Sequence, residues 1–217
     1  MAVNSNNELK NKHCLYMAQS ESGKSVAIDE ATKKAKRGIF WDPDQDYKCD
    51  QRFTSKAEFA RYLVANGGNK NLSAALSLNE ITPKSFDFFC QCVWLVLDGK
   101  KETHVIMEEL SDVSTAAVLP NFAGQIIRKG RKYGAVVHAA TQRPQDISKT
   151  VFTQCKRKWV GYQDSYDHEY LAKNIGVDVE EIAGIKPLEF IMKDVNDVKK
   201  AKFTFSKNIV SVVDVSL

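Results

Sequence analysis

The sequence predicts an α/β fold in which helices cover both faces of a mostly parallel β-sheet. Strand-like and helix-like segments alternate along the chain, a pattern typical of a parallel sheet with crossover helices. No Pro/Gly/Ser-rich linker, internal repeat or low-complexity tract interrupts this alternation. The 217 residues therefore predict one domain, 1–217, with a polar N-terminal arm at 1–12 and a C-terminal tail at 207–217.

Six segments are predicted as strands because each is short and rich in apolar or β-branched residues. These strands are at 13–17, 38–41, 103–107, 135–140, 158–162 and 189–192. The segment 202–206 is predicted as an edge strand, and 72–78 is a candidate for one more.

Six further segments are predicted as helices, and several of them follow a residue that favours helix starts. Ser55 is followed by Glu58 three residues later, which is the spacing of a capping box. The predicted helices are at 23–36, 55–65, 84–97, 119–132, 145–154 and 167–174.

The composition argues against a disordered chain and against a membrane protein, since 43% of residues are hydrophobic and 27% are charged. The longest apolar run, 86–97, contains Asp87 and Gln91 and is shorter than the roughly 20 residues of a spanning helix. Residues 1–12 lack the apolar core of a secretory signal. We therefore expect no intrinsic membrane segment and a cytoplasmic location. The five cysteines lack metal-site spacing and are predicted to be reduced core residues.

Residues 18–25 read A-Q-S-E-S-G-K-S, which is the phosphate-loop pattern with alanine in place of the first glycine. A strand precedes this loop and a helix follows it, so backbone N–H groups can converge on a β-phosphate. Lys24 would bridge the β- and γ-phosphates, and Ser25 would ligate Mg²⁺. The pattern predicts a P-loop NTPase of the RecA-like type that uses ATP. The residues predicted to bind the nucleotide are Ala18, Gln19, Ser20, Glu21, Ser22, Gly23, Lys24, Ser25 and Val26.

After the phosphate loop, a second motif, T-H-V-I-M-E-E at 103–109, is a short apolar strand that ends in two carboxylates. Alone it is typical of a strand that ends in a solvated acidic turn. Together with the phosphate loop it predicts that Glu108 holds the Mg²⁺ shell through water. Glu109 is then predicted to polarise the attacking water as general base.

Four stretches occur in an order and spacing that together resemble the FtsK/HerA superfamily of DNA-pumping ATPases. They are the loop at 18–25, I-F-W-D-P-D-Q-D-Y at 39–47, H-V-I-M-E-E-L at 104–110 and G-R-K-Y-G-A-V-V-H-A-A-T-Q-R-P at 130–144. The chain shows no recognition domain, membrane helix or N-terminal barrel beside the motor. In this respect it is similar to the genome-packaging ATPases of tailless, membrane-containing icosahedral viruses.

The resemblance implies further site residues. Gln142 would sense the γ-phosphate, next to Lys24 and Glu109 around one triphosphate. An arginine would act on the neighbouring subunit's nucleotide; Arg131 is the first candidate, and Arg128 and Arg143 are the others. For the cations of 128–132, a solvated helix end is an equally good interpretation.

Two features of these motifs leave alternatives open. Asp42 could belong to the outer shell of the metal, or it could start the turn at Pro43. Ala18 and Glu108 depart from the family pattern, so a subunit that does not hydrolyse ATP stays an alternative.

The function implied by the resemblance is Mg²⁺-dependent ATP hydrolysis coupled to the pulling of double-stranded DNA. A homohexameric ring is expected, with a pentamer as the alternative. Capsid or portal-vertex proteins are the expected partners, in the host cytoplasm or at the packaging vertex of the virion. The alternatives are a cellular or plasmid-borne DNA translocase, a small-molecule kinase, which would leave T-Q-R-P unexplained, and a non-catalytic nucleotide-binding scaffold.

The net charge of +4 is mild for a protein that contacts DNA. A ring must therefore concentrate the charge, or only a few loops touch the DNA. The candidate contacts are the loop 66–71 and the basic runs 33–37 and 156–158, each of which could also be a solvated surface.

Overall fold

The computed structural model describes residues 1–204 and 209–214, and in these residues the predicted α/β fold class is confirmed. The strands are β1 Cys14–Met17, β2 Arg37–Trp41, β3 Gln51–Phe53, β4 Leu72–Leu76, β5 Thr103–Met107, β6 Ala135–Thr141, β7 Arg157–Val160, β8 Glu189–Asp194, β9 Asp197–Phe203 and β10 Ile209–Asp214.

The strands form one sheet in the order β10-β9-β8-β7-β1-β6-β5-β2-β4-β3. The seven strands from β7 to β3 in this order run parallel, whereas β8, β9 and β10 add an antiparallel extension at one side. The register places Met17 beside Thr141 and His104 beside Val136, so the carboxyl ends of β1, β6 and β5 share one edge.

Helices cover both faces of the sheet, but unequally. Among the described residues, only α1 contributes buried helical residues to the smaller apolar cluster, whereas all seven other helices pack into the larger one. The alternation of side chains along β1 divides the two cores, since Leu15 faces the larger cluster and Tyr16 the smaller one. The helices are α1 Lys24–Thr32, α2 Lys56–Asn66, α3 Pro83–Val96, α4 Leu110–Val113, α5 Asn121–Lys129, α6 Lys149–Gln154, α7 Ser165–Ile175 and α8 Val179–Ala183.

Local sequence explains where several helices begin. The hydroxyl of Ser55 accepts a hydrogen bond from the Glu58 amide at the start of α2, as the spacing predicts. At α3, Thr82 and Ser85 form a reciprocal capping box before an apolar stretch. Gly134 ends the 3₁₀ turn Gly130–Tyr133 with a φ of 79°, and a Cβ at this position would lie 2.2 Å from the Lys101 carbonyl oxygen.

The predicted edge strand at 202–206 coincides with a strand at 202–203, but its start and its edge position are wrong. Strand β9 begins at Asp197 and pairs with β8 on one side and β10 on the other. Its buried residues, Val198, Ala201 and Phe203, are separated by lysines, so the segment shows neither an apolar run nor a regular alternation. Residues 205–206 lie outside the described residues.

The two predicted termini also carry structure. Within the N-terminal arm, Val3 pairs with Asp98 and its amide donates to the Leu97 carbonyl oxygen at 3.0 Å. Within the C-terminal tail, residues 209–214 form β10, whereas 207–208 and 215–217 lie outside the described residues. None of the helices in the described part of the chain has the length and apolarity needed to cross a membrane.

Candidate nucleotide site

One cleft at the carboxyl edge of the parallel strands gathers the three motifs. The loop after β1, the acidic turn after β5 and the residue after β6 line this cleft of about 410 Å³. Its lining includes Lys24, Glu109 and Gln142, which are far apart in sequence but adjacent because their strands are neighbours. We call this the nucleotide cleft. Its lining residues are Gln19, Ser20, Glu21, Gly23, Lys24, Ser25, Val26, Asp44, Asp46, Glu108, Glu109 and Gln142.

The phosphate loop has a backbone that its glycine permits. Gly23 has a φ of 97° and precedes the first helical residue, Lys24. A Cβ at Gly23 would lie 2.8 Å from Cδ2 of Leu188, so both conformation and space require glycine here. Ser25 lies in the first turn of α1, and both it and Glu108, the two predicted Mg²⁺ ligands, line the cleft.

Alanine at the first loop position is accommodated without backbone strain. Ala18 is fully buried and is not among the described residues with positive φ. Its methyl group faces Gly161, where an added Cβ would lie 2.8 Å from the Ala18 Cβ. The missing side chain at Gly161 therefore leaves room for the methyl group at Ala18.

Lys24 is held in place by the loop itself. The side chain is only 7% exposed, and Nζ donates to the carbonyl oxygens of Ala18 at 2.9 Å and Gln19 at 3.4 Å. Burial lowers the pKa of Lys24, while Glu108 and Glu109 act in the opposite direction. The result is a positioned cation in the cleft, which suits binding of phosphate oxygens.

Glu108 is a buried carboxyl at the end of β5. It is 5% exposed, and Oε2 accepts a hydrogen bond of 2.7 Å from the Tyr47 hydroxyl. Burial raises the pKa of Glu108 to about 7, although the Tyr47 bond and the Lys24 charge favour the ionised form. A bound cation would favour the ionised form further, so this carboxyl fits the predicted role at a metal shell.

The backbone of Glu109 and the end of the neighbouring strand β6 fix the orientation of its carboxylate. Its φ of 39° lies in the left-handed region, which costs on the order of 1 kcal/mol for a residue with a side chain. Oε1 accepts hydrogen bonds from the backbone amide of Gln142 at 2.9 Å and from the Thr141 hydroxyl at 3.3 Å. The other oxygen, Oε2, is buried without a hydrogen-bond partner among the described residues. One oxygen thus orients the carboxylate, and the other keeps its acceptor capacity for a water.

Asp42 belongs to the turn and does not line the nucleotide cleft. It is fully buried and accepts hydrogen bonds from the amides of Asp46 at 2.9 Å and Tyr47 at 3.2 Å. Arg52 donates to its Oδ2 at 2.7 Å. Of the two interpretations of Asp42, this geometry favours the turn over the metal's outer shell, because both carboxylate oxygens accept hydrogen bonds from the loop. The cleft is instead lined by Asp44 and Asp46, which the sequence interpretation did not single out.

The three candidate arginines lie in different places. Arg131 precedes β6 and therefore lies about 20 Å along the strand from Gln142, at the opposite edge of the sheet. Its guanidinium donates to the carbonyl oxygens of Asn7, at 2.9 Å, and Leu9. Arg128 lies in the last turn of α5, where its guanidinium covers Gly124. Arg143 follows Gln142 directly, and its side chain is 76% exposed. For the arginine that acts on the neighbouring subunit's nucleotide, this placement favours Arg143 over the first candidate, Arg131.

Sequence comparison finds a relative that spans nearly the whole chain. No protein-family model matches the chain. The chain is 35% identical over 205 residues to Protein P9 of Pseudoalteromonas phage PM2, covering 91% of this chain and 93% of P9. The chain belongs to the P9 family.

Solved structures share the fold of this P9-family chain. The genome packaging NTPase B204 of Sulfolobus turreted icosahedral virus 2, in complex with AMPPCP, matches with a TM-score of 0.68 at 16% identity, covering 95% of this chain and 98% of B204. The bacterial conjugative coupling protein TrwBdeltaN70, in complex with sulphate, matches with a TM-score of 0.57 at 12% identity, covering 96% and 86%. The predicted P-loop NTPase fold and the likeness to a viral packaging ATPase are confirmed.

Proposed function

We propose that this P9-family chain is an ATPase that uses ATP hydrolysis to move double-stranded DNA into a preformed viral capsid. The observation that carries the proposal is that Lys24, Glu109 and Gln142 line one cleft. A strand-loop-helix phosphate cradle, a buried cation and an oriented carboxylate are the parts that phosphoryl transfer to water requires. The similarity to the genome packaging NTPase B204 supports packaging as the process that the hydrolysis drives.

The residues of the cleft divide the work of hydrolysis. The loop 18–26 binds the phosphates, and the Lys24 ammonium offsets charge on the β- and γ-phosphates. Ser25 and Glu108 would hold Mg²⁺, which neutralises charge on the phosphate oxygens when bound. Glu109 Oε2 accepts a hydrogen bond from the attacking water. The water oxygen bonds to the γ-phosphorus, the bond to the β–γ bridging oxygen breaks, and ADP and phosphate leave while Glu109 takes the proton.

Two further groups are proposed to complete the site. The backbone amide of Gln142 anchors Glu109. The side chain of Gln142 senses the γ-phosphate and couples its loss to the β6 loop. Arg143 acts on the nucleotide of the neighbouring subunit, since it is exposed and follows Gln142 at the rim of the cleft. This arrangement requires a homo-oligomeric ring, for which a hexamer is favoured over a pentamer. Capsid or portal-vertex proteins would hold the ring at the packaging vertex.

The experiment that tests this proposal is a phosphate-release assay with and without duplex DNA. We expect DNA to stimulate the wild type. Glu109→Gln should lower kcat by roughly 10²- to 10⁴-fold while nucleotide binding persists, because only the general base is lost. Lys24→Ala should lose both binding and turnover. The matched control is Glu169→Gln, an exposed site on α7 that should hydrolyse ATP at the wild-type rate.

Two outcomes would contradict the proposal. An unchanged rate in Glu109→Gln would remove the assignment of the water-activating group. Nucleotide binding by the wild type without any turnover, with or without DNA, would instead identify a non-catalytic scaffold.

A further inference from the structure

A basic groove lies at the edge of the sheet opposite the nucleotide cleft. It occupies about 720 Å³ where β2, β4 and β5 begin. Two of the candidate DNA contacts noted in the sequence, the basic run 33–37 and the loop 66–71, meet across it although about thirty residues separate them along the chain. The charged residues that line the basic groove are Lys34, Lys36, Arg37, Lys70, Lys101 and Glu102.

The basic groove concentrates the positive charge of the chain. Five cations and one carboxylate line it, an excess equal to the net charge of +4 carried by all 217 residues. Lys34, Lys36 and Lys70 are exposed, and none of them forms an ion pair within the described part of the chain. Their ammonium groups are therefore available to an anionic partner.

The wall of the groove at 66–71 is held by two of its own cations. Arg37 is 2% exposed and donates to the carbonyl oxygens of Gly67, at 3.1 Å, and Asn69. Its Nε donates to the Thr103 hydroxyl at 2.9 Å, so its hydrogen-bond partners are neutral. Lys101 Nζ donates to the Gly68 carbonyl oxygen at 2.7 Å. The loop that carries Lys70 is thus fixed. Asp98, which pairs with Lys101 at 3.6 Å, offsets part of the charge of Arg37 and Lys101, so the exposed lysines carry the positive potential of the groove.

The third candidate contact, the basic run 156–158, differs from the groove because its charges are used within the fold. Lys156 and Arg157 both contact Asp194, at 3.5 Å and 2.9 Å. Lys158 Nζ donates to the Cys155 carbonyl oxygen at 2.9 Å. Of the three candidate regions, this one therefore has the weakest claim to bind an anion.

We propose that the basic groove binds the phosphodiester backbone of duplex DNA. The proposal rests on the proposed function, in which the chain moves DNA, and adds the surface that contacts it. Lysines on both walls can follow a phosphate backbone without reading bases. No Phe, Tyr or Trp among the described residues lines the groove to stack an unpaired base, which favours duplex over single-stranded DNA.

An anionic membrane surface would fit the groove less well. Proteins that lie on a bilayer insert apolar side chains beside their cations. None of the large apolar side chains that are exposed in the described residues lines this groove. Its concave shape also suits a strand of phosphates better than a flat surface of headgroups. Since the groove and the nucleotide cleft are at opposite sheet edges, DNA and ATP would not compete.

The test measures binding of a short fluorescein-labelled DNA duplex by anisotropy without ATP, over a range of salt concentrations. The variant is Lys34→Gln/Lys70→Gln, and the matched control is Lys84→Gln/Lys173→Gln, which changes two exposed lysines on α3 and α7. The logarithm of the DNA-binding constant falls linearly with the logarithm of the salt concentration, and losing two phosphate contacts should make this slope shallower by about 1.8. The same loss should weaken binding at ~0.1 M salt on the order of tens of fold. Thermal melting monitored by circular dichroism checks that each variant is folded.

The groove proposal is overturned if the groove variant binds DNA as the wild type does, or if the control loses as much affinity. It is also overturned if the groove variant loses binding to phosphatidylserine vesicles but keeps its affinity for DNA. Failure of the proposed function gives a different result. A wild type that turns over no ATP, yet binds DNA through Lys34 and Lys70, would refute the motor and leave the groove standing.

Discussion

Replacing Glu108 with glutamine should stabilise the nucleotide-free protein at alkaline pH. Burial raises the pKa of this carboxyl from 4.5 to about 7 in the folded chain. Each tenfold change in proton affinity corresponds to about 1.4 kcal/mol, so ionising Glu108 in the fold costs on the order of 3 kcal/mol. Glutamine keeps an oxygen that can accept the Tyr47 hydrogen bond of 2.7 Å and carries no charge to bury.

The sign of the pH dependence follows from the raised pKa. Between about pH 4.5 and 7 the folded state holds a proton on Glu108 that the unfolded state has released, so stability falls as the pH rises. Above pH 7 both states are ionised and the loss is complete. Glu108→Gln lacks this titration. Its advantage over the wild type should therefore grow from pH 4.5 to 7 and then stay constant.

The assay is thermal unfolding of the wild type, Glu108→Gln and the exposed-site control Glu169→Gln between pH 4.5 and 8.5. For a chain of this size, about 3 kcal/mol corresponds to roughly 6 to 12 °C in Tm. We expect the Tm difference between Glu108→Gln and the wild type to widen by about this amount, and Glu169→Gln to follow the wild type. A constant difference across the whole pH range would refute the claim that Glu108 is held in an environment that disfavours its charge.

Two other substitutions test the turn and the subunit interface. Asp42→Asn leaves Arg52 without its buried carboxylate, so the free energy of unfolding in urea should fall on the order of 3 kcal/mol. The exposed control Asp44→Asn should change this free energy by less than about 1 kcal/mol. Equal effects of the two substitutions would contradict the role of Asp42 in the turn. Arg143→Ala should abolish hydrolysis. Mixing it with Lys24→Ala subunits should restore part of the activity, because one variant supplies an intact phosphate loop and the other an intact arginine. Recovery in mixtures with Arg131→Ala instead would return the trans role to Arg131.

The nucleotide cleft could be foreseen from sequence because its parts are local motifs at the ends of apolar strands. Parallel strands end at a common edge, so strand order alone brings Lys24, Glu109 and Gln142 together. The sequence left the role of Asp42 open between the metal shell and the turn, because the choice depends on Arg52, whose strand β3 has only three residues. The anchoring of Arg131 likewise depends on the N-terminal arm, which has no periodic pattern.

The elements that sequence analysis missed are short or masked by charge. Strand β3 and the helices α4 and α8 have three to five residues each, too few for a periodic signal. In β9 the buried residues are separated by lysines, two of which pair with acids on other elements: Lys200 with Glu181 and Lys202 with Glu189. The basic groove shows the opposite case, because its two walls were visible in the sequence and only their meeting required the fold.

The central claim is that the three motif residues act on a single triphosphate, and a structure with Mg²⁺ and a non-hydrolysable ATP analogue tests it most directly. We expect the γ-phosphate within hydrogen-bond distance of Lys24 Nζ and of the Gln142 side chain, with Glu109 Oε2 facing the in-line position of a water. A nucleotide bound elsewhere, or one whose γ-phosphate contacts neither Lys24 nor Gln142, would contradict it.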